Sequence, residues 1–265
     1  FRPDVPQPEK IDAKNLKFVR DVDEVILAAA AEIDQRYRTA ILKDRPVAYW
    51  PLDDGANGLF SDISRSNLHG KREGNVRPAQ TGPWGSSAVG FEGQGAIATK
   101  QHALLLPNSG ITVEAWIWIG DIPPVGRVIS YPECWGFGYR QAMSINGAPP
   151  SEAVRFTYWG IKDYDFPLTL ARRRWTHLAV SVDRDHVARL YVNGRFEGEI
   201  AGDAPRLHPS GAALLGAATR SGNHEYWQGR LARVAVYQGY LSAEQLSKRY
   251  ASARVQPNNI RDTAE

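Results

Sequence analysis

From residue 45 onward the chain repeats one pattern, a short run rich in β-branched and aromatic residues followed by a glycine-rich turn. These runs begin about every ten residues, the spacing of antiparallel strands joined by short turns. They include SAVGFEG, ITVEAWIWIG, AVRFTYWG, WTHLAVSVD and GRLARVAVYQGYL. The pattern constrains the fold more than any other feature, and it predicts an antiparallel β-sandwich or barrel.

The run ITVEAWIWIG is apolar on both faces of the strand that it predicts. Side chains alternate along a strand, which places two sets of residues on opposite faces. One set is Val113, Ala115, Ile117 and Ile119, and the other is Thr112, Glu114, Trp116 and Trp118. A strand of this kind is covered on both sides, so we interpret Glu114 as an inward carboxylate that is hydrogen-bonded across the sheet.

Residues 175–195 contain two histidines and two aspartates, which at first resemble a metal or catalytic cluster. The alternation in WTHLAVSV indicates a strand, DRDH has the composition of a tight turn, and VARLYV forms the returning strand. Asn193-Gly194 is the strongest dipeptide signal for a second hairpin. The segment therefore predicts two consecutive hairpins rather than a chemical site.

Helices are predicted at both ends of the β region. Residues 21–42 carry apolar side chains at helical spacing, and this helix either packs on its own domain or contacts a partner. Residues 1–20, with three prolines in the first eight, predict an extended arm. Residues 241–253 predict a second helix, in which Ser242 and Gln245 have the spacing of a capping box.

Composition limits the possible partners. The 265 residues are 43% hydrophobic and carry a net charge of +3, which predicts a packed core and no nucleic-acid partner. The single cysteine, Cys134, has no partner for an internal disulfide. No apolar run reaches the roughly 18 residues that span a bilayer, so membrane insertion is not predicted. We divide the chain into an assembly segment (1–44), a sandwich (45–253) and a polar tail (254–265).

Six segments in a characteristic order identify a family resemblance. They are RPVAYWPLDDG, DISRSNLHG, AVGFEGQGAIA, ITVEAWIWI, WTHLAVSVDRDHVARLYVNGR and GRLARVAVYQGYLSAEQLSKRY. The series, over about residues 45–252, resembles laminin-G-like, concanavalin A-like jelly-roll domains. This resemblance implies two antiparallel sheets and a binding or structural role. PVAYWPLDD preceded by a helix is similar to domains of virion proteins from tailed bacteriophages, notably minor tail proteins.

The resemblance also implies a calcium site at the rim, held by an aspartate of the first loop and an acidic pair in the last long strand. Asp62 matches the first position and is the candidate metal ligand. Ala232 and Arg233 stand where the family has the acidic pair. Calcium requires six to eight oxygen ligands, so this loss weakens the site. The alternatives are that Asp62 forms an Asx turn or that Arg233 bridges to it. No other cofactor is predicted.

Aromatic residues in predicted loops are the candidates for a sugar-binding platform. The candidate ligand-binding residues are Trp135, Tyr164, Phe166, Tyr226 and Trp227. Alternatively, they pack against the edges of the sandwich, and exposed aromatic residues also serve protein interfaces. The basic run at residues 172–174 is either a solvated turn or a surface for an acidic partner.

The sequence favours a non-enzymatic virion structural protein of a tailed bacteriophage. Residues 1–44 would bind other virion proteins or a second copy, and the sandwich would bind bacterial surface glycans. The alternatives are a secreted or cell-surface carbohydrate-binding module and a polysaccharide-active enzyme. Glycoside hydrolysis requires two carboxylates about 5–10 Å apart. Tryptophans occupy positions 116 and 118, so Glu114 has no carboxylate partner on its own strand.

Overall fold

The computed structural model describes residues 13–55, 57–120, 125–141, 152–220, 222 and 224–254. In chain order, the elements are α1 (Ala13–Lys43), β1 (Ala48–Trp50), β2 (Leu59–Phe60), β3 (Gly70–Thr81), β4 (Ser87–Ala98), β5 (Ile111–Ile119), β6 (Val125–Tyr131), β7 (Trp135–Gln141), β8 (Glu152–Tyr158), β9 (Lys162–Pro167), β10 (Trp175–Val182), β11 (Ala188–Val192), β12 (Arg195–Ile200), β13 (Leu214–Leu215), β14 (Gln228–Gln238) and α2 (Ala243–Ser252). Short 3-10 helices cover Pro83–Gly85 and Ala103–Leu105.

The named strands form one antiparallel sheet that turns back on itself. Its order is β12-β11-β10-β5-β14-β4-β13-β6-β7-β8-β9. In addition, β1 pairs with β14, β3 pairs with β4, and β2 pairs with β3. The first part of β4 pairs with β14, where Phe91 faces Gly229, and its last residues pair with β13, where Ile97 faces Leu215. Strand β4 therefore belongs to both layers, which confirms the jelly-roll sandwich.

The main core lies between the two layers. Val113 and Ile117 of β5 are buried in it, which confirms the predicted alternation of that strand. From the other layer, Trp135 and Phe156 meet with ring centroids 6.3 Å apart. Parallel contacts of this kind add about 0.5–1.5 kcal/mol to the burial of the rings.

The two predicted hairpins of residues 175–195 are confirmed. In the first turn, Asp183 Oδ1 accepts hydrogen bonds from the backbone N–H of Asp185 and of Val187, at 2.9 and 3.0 Å. In the second turn, Asn193 and Gly194 have φ values of 50° and 74°. Two positive φ values in a row define the tight turn that matches the twist of its flanking strands. These polar residues serve the turns.

Helix α1 is longer than the sequence predicted. It begins at Ala13, so the expectation of an extended arm is wrong for residues 13–20, and residues 1–12 lie outside the described range. The last proline before the helix is Pro8, and no proline or glycine interrupts the residues that follow it. A continuous helix is therefore sterically allowed there.

The two halves of α1 have different surroundings. In the second half, Ile33, Tyr37 and Ile41 are buried against the sandwich. In the first half, the residues from 24 to 29 are all exposed. The second half of α1 therefore packs on its own domain, as one of the two alternatives predicted. Contact of the first half with a partner stays a prediction.

Helix α2 closes the same face of the sheet beside α1. Its capping box is confirmed, because Ser242 Oγ accepts from the Gln245 N–H while Gln245 Oε1 accepts from the Ser242 N–H. The Gln245 amide also donates to Asp44 at the end of α1, at 3.2 Å. The two helices are thus joined to each other as well as to the sheet. Residues 255–265 of the predicted tail lie outside the described range.

Candidate functional site

Beyond Thr112, three side chains of β5 point away from the main core towards the face that carries the helices. They are Glu114, Trp116 and Trp118. Trp116 lies under the helices, with its ring centroid 5.9 Å from that of Tyr250 in α2 and 6.1 Å from that of Tyr37 in α1. Trp118 is the last of the three and is only half-buried. One face of a single strand is thus sealed at one end and open at the other.

The sealed end contains a carboxylate bound by several donors. Glu114 Oε2 lies 2.9 Å from His177 Nε2 and 3.3 Å from the Tyr37 hydroxyl. Its other oxygen accepts from Tyr237 and from Arg249 of α2. Each of these side chains is buried. The interpretation of Glu114 as an inward, hydrogen-bonded carboxylate is therefore confirmed.

The charge of Glu114 is stabilised despite complete burial. Burial by itself raises the pKa of a carboxyl group. The positive charge of Arg249 and the hydrogen bonds from His177 and Tyr237 outweigh this effect and lower the pKa of Glu114 to about 2. Glu114 has no exposed surface, so a substrate cannot contact it. Its position therefore does not suit the catalytic carboxylate that a polysaccharide-active enzyme would need.

The open end of the same face is a cleft of about 440 Å³. Strands β3, β4, β5 and β14 supply its walls. Its lining residues are Arg77, Gln80, Gly90, Phe91, Glu92, Trp118, Gly120, Gln228, Gly229 and Arg230. We call this site the Trp118 cleft.

The floor of the Trp118 cleft is a stacked pair. Arg230 of β14 lies directly opposite Trp118 in the sheet register, and its guanidinium carbon is 4.7 Å from the indole centroid. Arg230 Nη1 donates to the Thr81 carbonyl at 3.1 Å, which holds the side chain over the ring. The guanidinium covers one face of the indole, and the part of the ring that stays exposed lies beside its N–H donors.

Glycines make this close packing of strands possible. A Cβ atom on Gly229 would lie 2.1 Å from the Trp118 carbonyl oxygen, and Gly229 has a φ of 143°. On the opposite wall, a Cβ atom on Gly90 would come within 3.2 Å of Gln80. Larger residues at these positions would push β14 away from β5 or narrow the cleft.

The polar groups of the Trp118 cleft suit a ligand with many hydroxyl groups. Gln80 and Gln228 each offer an amide donor and acceptor, and Arg77 pairs with Glu92 at 2.9 Å on the rim. Glu92 is the only carboxylate among the described lining residues. The usual glycosidase mechanism uses a pair of carboxylates, whereas these lining residues combine one carboxylate with amide, guanidinium and aromatic groups that can bind a sugar.

Four of the five predicted ligand-binding aromatics are core residues. Trp135, Tyr164 and Trp227 have no exposed surface, and Phe166 is 5% exposed. The prediction that these four rings form a sugar platform is wrong, because none offers a free face. Two of them also hydrogen-bond within the fold, because Trp135 Nε1 donates to the Leu105 carbonyl at 2.8 Å and the Tyr164 hydroxyl donates to the His186 carbonyl at 3.1 Å. Packing against the sandwich, the alternative interpretation, is confirmed for them.

Tyr226 is the member of that set with accessible surface. Its ring stacks on His224 with centroids 4.8 Å apart, and it lines a second cleft of about 330 Å³. In this second cleft, Arg220 and Glu73 form an ion pair of 2.6 Å. The Tyr226 cleft is smaller than the Trp118 cleft, and its aromatic ring is a single tyrosine.

Asp62 is committed to a turn. Its Oδ1 accepts from the backbone N–H groups of Tyr49 and Ser64, and its Oδ2 accepts from the Ser64 hydroxyl and the Leu68 N–H, at 2.8–2.9 Å. These bonds use the acceptor positions that a calcium ion would need. No metal-binding group of three or more acidic, histidine or cysteine side chains occurs in the described ranges. The residues around Asp62 therefore do not fit calcium, and the Asx turn is the correct interpretation.

Arg233 does not bridge to Asp62, contrary to one of the alternatives. It occupies a bulge in β14 with a φ of 55° and is 1% exposed. Its guanidinium pairs with Asp34 of α1 at 2.5 Å and donates to the carbonyls of Pro51 and Ser87. The bulge turns the side chain towards α1, which the strand pattern could not indicate.

The sequence did not single out Trp118, because alternation placed it with Glu114 and Trp116 on a face expected to be covered. A signal was present, since Trp118 is the last outward residue of its run and Gly120 lies only two residues further on. A covering helix does not always extend to the end of a strand.

No helix in the described residues is long and apolar enough to cross a membrane.

Comparison with known proteins identifies the family. A model described as the concanavalin A-like lectin/glucanases superfamily, of laminin G type, matches residues 91–247, more than half of the chain. The protein belongs to this family. No curated protein sequence matches the chain significantly.

Solved structures with the same fold are distant in sequence. Domain 4 of AbnA, a GH43 extracellular arabinanase of Geobacillus stearothermophilus, superposes with a TM-score of 0.59 at 19% identity, covering 78% of this chain and 98% of that domain. The binding domain of Paraclostridial Mosquitocidal Protein 1 gives a TM-score of 0.59 at 16% identity, over 80% of this chain and 53% of the other. The binding domain of botulinum neurotoxin DC gives 0.56 at 13% identity, over 80% and 52%. This family member thus spans about half of the toxin chains.

Proposed function

We propose that this family member is a non-enzymatic glycan-binding structural protein of a tailed-bacteriophage virion. The Trp118 cleft binds a bacterial surface sugar, and the first half of α1 attaches the sandwich to the particle. The observation that carries the proposal is the half-exposed stacked pair of Trp118 and Arg230 in a cleft lined by amide and charged side chains. An aromatic face combined with directional donors and acceptors recognises the faces and hydroxyl edges of a sugar ring.

The structural neighbours support the binding half of the proposal. The arabinanase domain was solved in complex with arabinotriose, and the neurotoxin domain in complex with SialylT. Both are ligand-binding examples of a fold that this chain shares. One fold hosts many functions, so the residues of the Trp118 cleft, and not the shared fold, support a sugar as the ligand.

The exposed half of α1 supports the attachment half. Val25, Ile26 and Leu27 are 68%, 57% and 64% exposed, although each is strongly apolar. Clusters of exposed apolar residues mark interaction sites. In addition, PVAYWPLDD preceded by a helix resembles domains of phage virion proteins. This resemblance supports a virion as the place where the protein acts.

A glycan array of bacterial surface sugars tests the cleft. The full chain should bind a subset of glycans, and Trp118→Ala should lose these signals, because the aromatic face is removed. Tyr226→Ala is the matched control and should keep them. Loss with Tyr226→Ala alone would move the site to the Tyr226 cleft, and no binding to any bacterial glycan would overturn the proposal.

Particle incorporation tests the attachment segment. The truncation should remove residues 1–28 and keep the rest of α1, because Ile33, Tyr37 and Ile41 belong to the folded domain. The truncated chain should keep the thermal midpoint of the full chain and disappear from purified particles. Normal incorporation of the truncated chain would contradict the assignment.

A secreted or cell-surface carbohydrate-binding module is the second candidate, and the Trp118 cleft supports it equally well. The source fraction separates the two settings, since a virion protein sediments with particles and a secreted module stays in the supernatant. Release of reducing ends from a bound polysaccharide would contradict both and favour an enzyme.

A further inference from the structure

A further surface groove lies at the end of α1, separate from the Trp118 cleft and from the Tyr226 cleft. Its volume is about 470 Å³. Three exposed aliphatic side chains converge in its lining, namely Leu42 of α1, Ile63 of the first loop and Leu104 of a 3-10 helix, each 37–40% exposed. We call this site the basic groove, for the charges on its rim.

The rim of the basic groove is positively charged. Lys43, Arg45 and Arg65 line it and are exposed, and none of them forms an ion pair with a described residue. Arg45 adopts a left-handed conformation with a φ of 51°, at the end of a helix where glycine is the usual residue. The rim of the groove therefore combines three unpaired cations with exposed aliphatic side chains, and patches of this composition mark interaction sites.

The complementary surface is the exposed turn of α1 itself. Val25, Ile26 and Leu27 are the most exposed large apolar residues of the described chain. Glu24 is exposed beside them, and the sequence places Asp21 and Asp23 just before it. This acidic apolar turn, residues 21–27, has the opposite charge to the basic groove and the same apolar character.

The two surfaces cannot meet within one molecule. Helix α1 is continuous from Ala13 to Lys43, so Ile26 and Leu42 lie on one rod. At 1.5 Å per residue, they are separated by about 24 Å along the axis. The exposed residues 24–29 cover every direction around the helix, so no face of this segment packs on its own sandwich. The acidic apolar turn is free to reach a groove on another copy.

We propose that the acidic apolar turn of one copy docks in the basic groove of a second copy. The contact buries aliphatic side chains from both partners, while carboxylates of the helix meet the three cations of the rim. It joins two different surfaces, and such a head-to-tail interface builds rings or rows. This inference rests on the proposed attachment role of α1 and is independent of glycan binding.

Sedimentation velocity of the full chain over a broad concentration range tests the docking. The chain should associate as its concentration rises, and added salt should weaken the association because charges contribute to it. Ile26→Lys and the groove double variant Lys43→Glu/Arg65→Glu should each raise the dissociation constant by about tenfold or more, equivalent to at least about 1.4 kcal/mol. Arg174→Glu, at an exposed site elsewhere, is the charge control and should associate normally.

Mixing the two variants distinguishes a head-to-tail contact from a symmetric one. The helix variant retains its groove and the groove variant retains its helix, so the mixture should form a one-to-one pair that neither variant forms alone. Unchanged circular dichroism and thermal midpoints would show that both variants are folded.

Three results would overturn the inference. One is a full chain that stays monomeric at all concentrations, and another is a mixture that forms no pair. The third is association that the groove variant leaves unchanged, which would indicate pairing of two helices. If the monomeric chain still requires residues 1–28 for particle incorporation, self-association fails while the attachment role stands.

Discussion

Glu114 and Trp118 occupy the same face of the same strand, four residues and about 13 Å apart, yet they serve opposite purposes. Helices α1 and α2 seal Glu114 among Tyr37, His177 and Arg249. Trp118 lies beyond the helices and forms the floor of an open cleft. Alternation along the strand treats the two residues alike, and the extent of the covering helices makes one structural and the other available to a ligand.

The two ends of this face also differ in how their ion pairs are exposed to solvent. At the sealed end, Arg249 of α2 pairs with Glu114 and with Asp44, the residue that follows α1, so one guanidinium links the sheet to both helices. At the open end, Arg77 and Glu92 pair on the surface, with 65% and 46% of their side chains exposed. Ion pairs of the first kind are costly to break, and those of the second kind contribute little.

The largest expected effect is at the sealed end. Glu114→Ala leaves Arg249 with less compensation in a buried position and should lower the free energy of unfolding by about 3–5 kcal/mol. Denaturant unfolding, with the slope checked to be unchanged, measures it. Glu92→Ala, its counterpart in the cleft, should cost less than about 1 kcal/mol. Equal losses would show that burial does not distinguish the two sites.

The stability that Glu114 contributes should depend on pH. The pKa of Glu114 is about 2 in the folded chain against 4.5 for an ordinary glutamate. Its contribution to stability is therefore complete above about pH 4.5 and is lost as the pH falls towards about 2, amounting to about 3 kcal/mol. Glu114→Gln should be less stable at neutral pH and show a flatter acid limb in unfolding measurements. If the free energy of unfolding of the variant fell with acid as steeply as that of the parent chain, the lowered pKa of Glu114 would be contradicted.

An intermediate effect is expected where β14 passes behind Trp118. Gly229→Ala places a Cβ atom 2.1 Å from the Trp118 carbonyl oxygen. Relief of the overlap should cost about 1–3 kcal/mol of stability and reduce glycan binding, since the floor of the cleft moves. Gly211→Ala is the control, because a Cβ atom there meets no atom within 4 Å. A thermal melt of both variants, together with the glycan assay, measures the difference.

The smallest effect on stability is expected at the open end. Trp118→Ala removes a half-exposed ring from the surface and should change the free energy of unfolding by no more than about 1 kcal/mol while abolishing glycan binding. The same denaturant titration as for Glu114→Ala makes the two ends directly comparable. A loss as large as that of Glu114→Ala would mean that Trp118 is structural.

Local patterns predicted most of the fold because they depend on neighbours in sequence. Alternation identified the buried face of β5, Asn193-Gly194 identified a hairpin turn, and Ser242 with Gln245 identified the start of α2. The site was predicted poorly for the same reason. Trp135 and Trp227 are adjacent to turns in the sequence, and only the opposite layer shows that their rings are enclosed.

The amino-acid sequence by itself determined the class of the fold, the hairpins, the cap of α2 and the family. Each follows from side-chain periodicity or from backbone conformations that a few residues prefer. Tertiary structure decided which aromatic ring is open, where Arg233 and Asp62 bind, and how far α1 covers β5. Most of these outcomes depend on contacts between segments far apart in the sequence, as between Arg233 and Asp34 or between Glu114 and Arg249, and no local pattern records such contacts.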